Sequence, residues 1–274
     1  MISVALAGGG ERVVAWEIGV LAGLADTGLD LRGAARIVGT SAGALVAARL
    51  AAGEDPREAA EQIAAGDGPG EAAEQIAAGD GPGEVAEQIA AGPREVAERL
   101  AAHDRRRDAT ERLAAVARPS RGAEAFAALA AAWEAAGATV AERRRAFGRL
   151  AVEASPGGEE RFVARQEELL AGVDWSPALR IVAVDADSGR RVVFDAGSSV
   201  PLARAVAASR AVPTLRPPVQ IGGRRFIDGA LGSATNADLL TGEAIVVAPF
   251  SSDDPLWAPP LRDELARLGN ARVI

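Results

Sequence analysis

The chain has 274 residues, 49% of them hydrophobic, enough to bury the core of one full domain. Its formal net charge of −8 argues against a nucleic-acid partner, and no run reaches the ~18 apolar residues of a membrane-spanning helix. With no cysteine and a single histidine, disulfides and cysteine-based metal sites are excluded and a zinc centre is disfavoured.

Residues 2–7 form a short apolar run that reads as a strand. Gly8-Gly9-Gly10-Glu11-Arg12 follows, then a helix over 13–25 whose apolar positions Val14, Ile18, Leu21 and Leu24 share one face. Strand, glycine loop and helix present bare N–H groups to one spot, a geometry that binds phosphate or stabilises an oxyanion. The phosphate reading is the weaker one. No lysine follows the glycines, all 30 basic residues of the chain being arginine, and the spacing misses G-x-G-x-x-G.

Gly39-Thr40-Ser41-Ala42-Gly43 comes next, between Ile37-Val38 at the end of an apolar run and an alanine-rich helical run over 44–52. A G-x-S-x-G motif between strand and helix is a candidate nucleophile elbow, and Ser41 then stands at a helix N-terminus.

Residues 54–172 read as almost wholly helical. A 13-residue unit repeats over 58–92, each copy a two-turn amphipathic helix closed by glycine and proline. Helices that short depend on packing. The repeat reads as a local duplication in a tolerant insertion, with a mobile lid over an acyl site as the functional alternative. Helices continue over 109–116, 123–136, 140–154 and 159–170. His103 lies in a charged cluster, 103–107, and reads as a surface residue. Arg143-Arg144-Arg145 reads as a solvated face, or as a patch that meets an anionic lipid surface.

Strands resume over 179–185 and 191–194. A hairpin over 219–227 turns at Gly222-Gly223 and delivers Asp228 to a strand end, just before Gly229. A strand over 244–248, a helix over 260–268 and the first residues of a strand from 271 complete the chain. The order is βα, an all-helical insertion, then mixed strands. This predicts an α/β fold: one three-layer α/β/α domain over 1–274 with a mixed central sheet, and residues 54–172 as a helical cap inserted in it.

A hydrolase triad closed by a late histidine is excluded, because no histidine follows His103. If Ser41 is a nucleophile, its base is most simply a carboxylate, and Asp228 is the candidate. An aspartate before a glycine is also ordinary turn chemistry.

Taken together, the glycine loop Gly8 to Arg12, the motif Gly39 to Gly43 and Asp228-Gly229-Ala230 resemble the patatin-like phospholipase family. The stretches 208–213, 217–223 and 233–238 resemble that family's surroundings of its aspartate. The resemblance covers 1–52 and about 175–274 well and the middle poorly. It implies a serine acyl-ester hydrolase of the phospholipase type that works through an acyl-enzyme. Ser41 would be the nucleophile and Asp228 the base, with the oxyanion held among Gly8, Gly9, Gly10 and Ala42. Arg12, Gly39, Gly43 and Gly229 would shape the motifs, Arg12 by supporting its loop or, alternatively, by meeting an anionic headgroup. It implies no cofactor and no metal, a lipid or fatty-acyl-ester substrate, transient contact with a membrane surface and no nucleic acid; the oligomeric state stays open. Two departures stand out. Val13 occupies a position where the family usually has glycine, and the family usually continues beyond the last strand begun here, which points to a clipped sheet edge. The N-terminus has no basic region ahead of its apolar run, so the cytoplasm is the expected compartment. Two rival readings are an acyl- or lipid-binding protein of the same fold with impaired or absent catalysis, and an interaction protein that uses its Ala/Glu helices.

Overall fold

The computed structural model describes residues 1–65, 131, 139–249, 261–268 and 270–274. Among the described residues, eight strands form one sheet: β1 (Ile2–Leu6), β2 (Arg36–Thr40), β3 (Leu179–Asp185), β4 (Arg191–Phe194), β5 (Val219–Ile221), β6 (Arg224–Asp228), β7 (Glu243–Val247) and β8 (Ala271–Val273). Their order is β5-β6-β3-β2-β1-β7-β8, with β4 also paired to β3. The run β3-β2-β1-β7-β8 is parallel, whereas β4 and β6 lie antiparallel to β3.

The central strands are continuous apolar runs because both of their faces are covered. Alternate residues divide between two cores. Val4, Leu6, Ile37, Ile181, Ile245 and Val247 face one side. Ala5, Ala7, Val38, Val182, Ala244 and Val246 face the other. The first side packs against α1 (Glu11–Asp26), α2 (Ala42–Ala51), α3 (Pro56–Ala64), α5 (Glu159–Leu169) and α6 (Leu202–Ser209). The second side carries α7 (Leu261–Leu268), with Leu261 buried among its residues. On that same side α4 (Val140–Glu153) places Phe147 and Ala151 against Val184 and Ile227. The result is the three-layer α/β/α arrangement with a mixed sheet that the sequence predicts.

The predicted bounds of β3 and β4 are reproduced. The first helix begins at Glu11, two residues ahead of the expected start, because Gly10 caps it through its backbone alone (φ 86°, ψ −175°). That conformation is essentially restricted to glycine. Helix α6 was not anticipated. Most of the repeat, His103 and the expected helix over 109–116 lie outside the described residues, as does nearly all of that over 123–136. Of the repeat, the start of the first copy belongs to α3, which Asp55 caps by accepting the Arg57 N–H.

Sheet register positions the candidate site. Leu6 is level with Gly39, Thr40 with Val182, and Asp228 with Ala183. Thr40 at the end of β2 and Asp228 at the end of β6 therefore stand at nearly one level of the sheet against β3, although β6 runs opposite to β1 and β2.

Candidate active site

The turn from β2 into α2 is sharp, and two glycines make it possible. A Cβ on Gly39 would sit 2.6 Å from Ala44 Cα, and one on Gly43 would sit 2.3 Å from the Leu6 carbonyl oxygen. No real side chain tolerates either contact. Ser41 between them has φ 52° and caps α2. A non-glycine residue held there stores strain of about 1–3 kcal/mol, which the surrounding packing must hold in place.

Ser41 is nearly buried, and its hydroxyl donates to Asp228 Oδ2 at 2.7 Å. The other Asp228 oxygen, Oδ1, accepts the Ala230 N–H at 2.8 Å. Asp228 itself is 2% exposed. Burial pushes its carboxyl up to about 6; the Ser41 hydroxyl, the Ala230 amide and the Arg210 charge each pull against that rise. Gly229 is required by close approach, since a Cβ there would meet the Val182 carbonyl oxygen at 2.2 Å.

The glycine loop lies over this pair. A Cβ on Gly8 would fall 2.9 Å from the Ala230 methyl and 3.2 Å from Ser41 Cβ. The expectation that Gly8 donates to an oxyanion is not met, because its N–H is bonded to the Ala234 carbonyl at 2.8 Å. Among the described residues, no acceptor takes the N–H groups of Gly9, Gly10 or Ala42. Ala42 is the first residue of α2, where helical amides have no partner within the helix. Val13 is buried, and its Cγ2 occupies the space where a Cβ on Gly9 would stand, so its side chain braces the loop from below.

No described contact ties Arg12 to the loop. It is exposed and makes no hydrogen bond or ion pair among the described residues. Arg143-Arg144-Arg145 is not wholly a solvated face either. Arg144 donates to the Gly232 carbonyl and fastens α4 to the turn after Asp228.

Three contacts that sequence reasoning missed hold the site together. Ser209 Oγ accepts the Ser41 N–H at 2.9 Å. Asn236, in a left-handed conformation, donates to Thr40 Oγ1 at 3.1 Å and to the Ser233 carbonyl at 2.8 Å. The segment 233–237 thus grips both the glycine loop, through Ala234, and the residue before Ser41. Glu264 of α7 anchors that segment in turn, accepting from Ser233 Oγ, Thr235 Oγ1 and the Ala237 N–H. Burial raises the Glu264 carboxyl. Glu17 of α1 is fully buried as well, and burial pushes it well above the ordinary carboxylate range. The Ala7 amide opposes that rise only in part. It is bonded to the Val247 carbonyl at 3.2 Å, and neither Glu17 oxygen has a hydrogen-bond partner among the described residues. Among the described residues, no group of three or more His, Cys, Asp or Glu side chains is placed to hold a metal ion.

The model of the family described as patatin-like phospholipase matches residues 4–68 and 89–241. The chain belongs to the patatin-like phospholipase family. The break in the match, 69–88, falls inside the 13-residue repeat. A search of the curated proteins found no match. Among solved structures, this patatin-like chain is similar to VipD from Legionella pneumophila at 14% identity and a TM-score of 0.41, over 92% of this chain and 50% of that one. It is also similar to ExoU of the Pseudomonas aeruginosa type III secretion system, solved in complex with SpcU. Two such structures match at 19% and 18% identity, with TM-scores of 0.35 and 0.40, covering 100% of this chain and 48% and 47% of theirs. The patatin-like chain thus spans about half the length of each of these.

Proposed function

We propose that this patatin-like chain is a serine acyl-ester hydrolase acting on lipid or fatty-acyl esters, with Ser41 as nucleophile and Asp228 as its base. The observation that carries the proposal is the 2.7 Å hydrogen bond from Ser41 Oγ to an aspartate oxygen buried beside it. A carboxylate shifted up to about 6 is a stronger base than an ordinary aspartate and is still largely ionised at neutral pH.

In the first half-reaction Asp228 takes the Ser41 proton as Oγ attacks the ester carbonyl. The amides of Gly9, Gly10 and Ala42, none spent on another acceptor among the described residues, are available to the developing oxyanion. The tetrahedral species collapses as Asp228 returns the proton to the leaving alcohol, which leaves an acyl-enzyme on Ser41. In the second half-reaction Asp228 activates a water, and the fatty acid is released. Ser209 and Asn236 act through Ser41 and Thr40, holding the strained turn in the geometry that attack requires.

Hydrolysis of a p-nitrophenyl ester series by the wild type and by Ser41→Ala tests this reading. A loss of about 10⁴-fold or more in kcat/KM is expected in the variant. Equal rates would show that any esterase activity arises elsewhere.

A further inference from the structure

A charged pair that the mechanism above does not use reaches the nucleophile turn. Arg191 opens β4, and its guanidinium meets Asp238 through two hydrogen bonds. Nη1 donates to Oδ1 at 2.6 Å and Nη2 donates to Oδ2 at 2.8 Å. This fork-on-fork contact fixes the plane of the guanidinium as well as its charge. Both side chains are partly buried, 29% and 21% exposed. The same Nη1 also donates to Asn236 Oδ1 at 3.2 Å.

That third bond decides which way the Asn236 amide faces. Asn236 is fully buried, and its Nδ2 donates to Thr40 Oγ1 at 3.1 Å and to the Ser233 carbonyl at 2.8 Å. A guanidinium has donors and no acceptor, so only Oδ1 can face Arg191. Turned over, the amide would set donor against donor at Arg191 and oxygen against oxygen at Ser233. Each mismatch would leave a buried polar group unpaired, which is costly. Asp238 thus holds Arg191, Arg191 orients Asn236, and Asn236 grips Thr40. Thr40 is fully buried and ends β2. The next residue is Ser41, whose φ of 52° persists only while its surroundings hold it.

We propose that Arg191 is a positioning residue for the nucleophile: by fixing the Asn236 amide it holds Thr40, and with it the strained Ser41 turn, in the geometry that attack requires. The effect on catalysis rests on the hydrolase reading above; the hydrogen-bond chain itself does not.

The test measures kcat and KM on p-nitrophenyl butyrate and, separately, hydrogen–deuterium exchange of the peptide over 36–46. The proteins are the wild type, R191M, N236G, R191M/N236G and R32M. Glycine suits the left-handed backbone of Asn236, so N236G removes the amide and spares the chain path. Arg32 is a matched control. It is 31% exposed and bonded to Asp30, ahead of β2 and at the end of that strand away from Ser41. R191M is expected to lower kcat about tenfold or more, the loss that follows when a reacting group is displaced. KM should stay within about twofold, because no substrate contact is removed. Exchange over 36–46 should be faster in R191M. The double variant should be no slower than N236G alone, since Arg191 acts through Asn236. R32M should keep the wild-type kcat. If the wild type hydrolyses no ester, yet R191M speeds exchange over 36–46 and R32M does not, the chain of contacts stands and the hydrolase reading falls. An R191M protein that matches R32M in both kcat and exchange overturns the proposal. Losses in kcat that multiply in the double variant overturn it too, because Arg191 would then act by another route.

Discussion

Ser41 and Asp228 are each held in a state that the isolated residue would avoid. The serine backbone is strained and the aspartate is desolvated. The aspartate makes pH the informative variable. If Asp228 must be ionised to accept a proton, kcat/KM on a neutral ester should rise through a pH of about 6 and then level. Asp228→Asn should lower the plateau by about 10²–10⁴-fold. Stability should run the opposite way. The folded protein holds this proton more tightly than the unfolded chain, whose aspartate titrates near ~3.9. The contribution is therefore fully present below ~3.9 and is lost as pH rises through about 6. Urea unfolding of wild type and Asp228→Asn at several pH values checks the sign: the variant should become the more stable of the two at neutral pH, by roughly 1–3 kcal/mol. Glu17 is expected to behave similarly, because burial raises it and neither of its oxygens is bonded among the described residues. Glu17→Gln should gain stability relative to wild type as pH climbs from about 5 to 8, again read by urea unfolding. A constant gap across that range would mean that Glu17 does not titrate there.

At the scale of elements, the candidate site depends on a segment with little secondary structure of its own. Residues 233–237 tie Gly8 to Thr40 and are themselves tied to Glu264 of α7. Glu264→Ala removes three hydrogen bonds to buried partners at once. A loss of about 3 kcal/mol or more is expected, since each buried group left unpaired costs roughly 1–3 kcal/mol. Activity should fall in kcat more than in KM, because the loosened parts are the glycine loop and the nucleophile turn rather than a substrate contact. Thermal unfolding together with steady-state kinetics separates the two effects; normal kcat in a destabilised variant would show that the segment holds the fold and not the site. This network could not be read from the sequence. Asn236 meets Thr40 across 196 residues, and Ser209 meets Ser41 across 168, so no local pattern marks either contact. Helix α6 escaped notice for a local reason. Its N-cap is Pro201 and no side chain caps it, so the usual polar start is missing. Arg144 looked solvated because its acceptor, the Gly232 carbonyl, lies 88 residues away.

At the scale of the molecule, what was legible follows from steric demand. The buried strands announce themselves as unbroken apolar runs, and Gly39, Gly43 and Gly229 stand where a Cβ would strike backbone. The same logic points to where the chain tolerates change. The family match skips 69–88, and the unit 71–83 lies within that gap. Deleting 71–83 in register should leave the thermal midpoint within a few degrees of wild type, because a neighbouring copy offers the same apolar stripe. A drop larger than about 10 °C would mean that the repeat packs as a specific element, since ~1 kcal/mol shifts a domain of this size by only ~2–4 °C.

The most direct test of the central claim, that Ser41 is a nucleophile activated by Asp228, is the rate of covalent labelling by an alkyl fluorophosphonate, followed by intact-mass spectrometry and peptide mapping. One adduct on Ser41 is expected in the wild type. None is expected in Ser41→Ala, and labelling should be slower by about 10²-fold or more in a folded Asp228→Asn. Absence of an adduct on wild-type Ser41, or a rate unchanged by Asp228→Asn, would contradict the account.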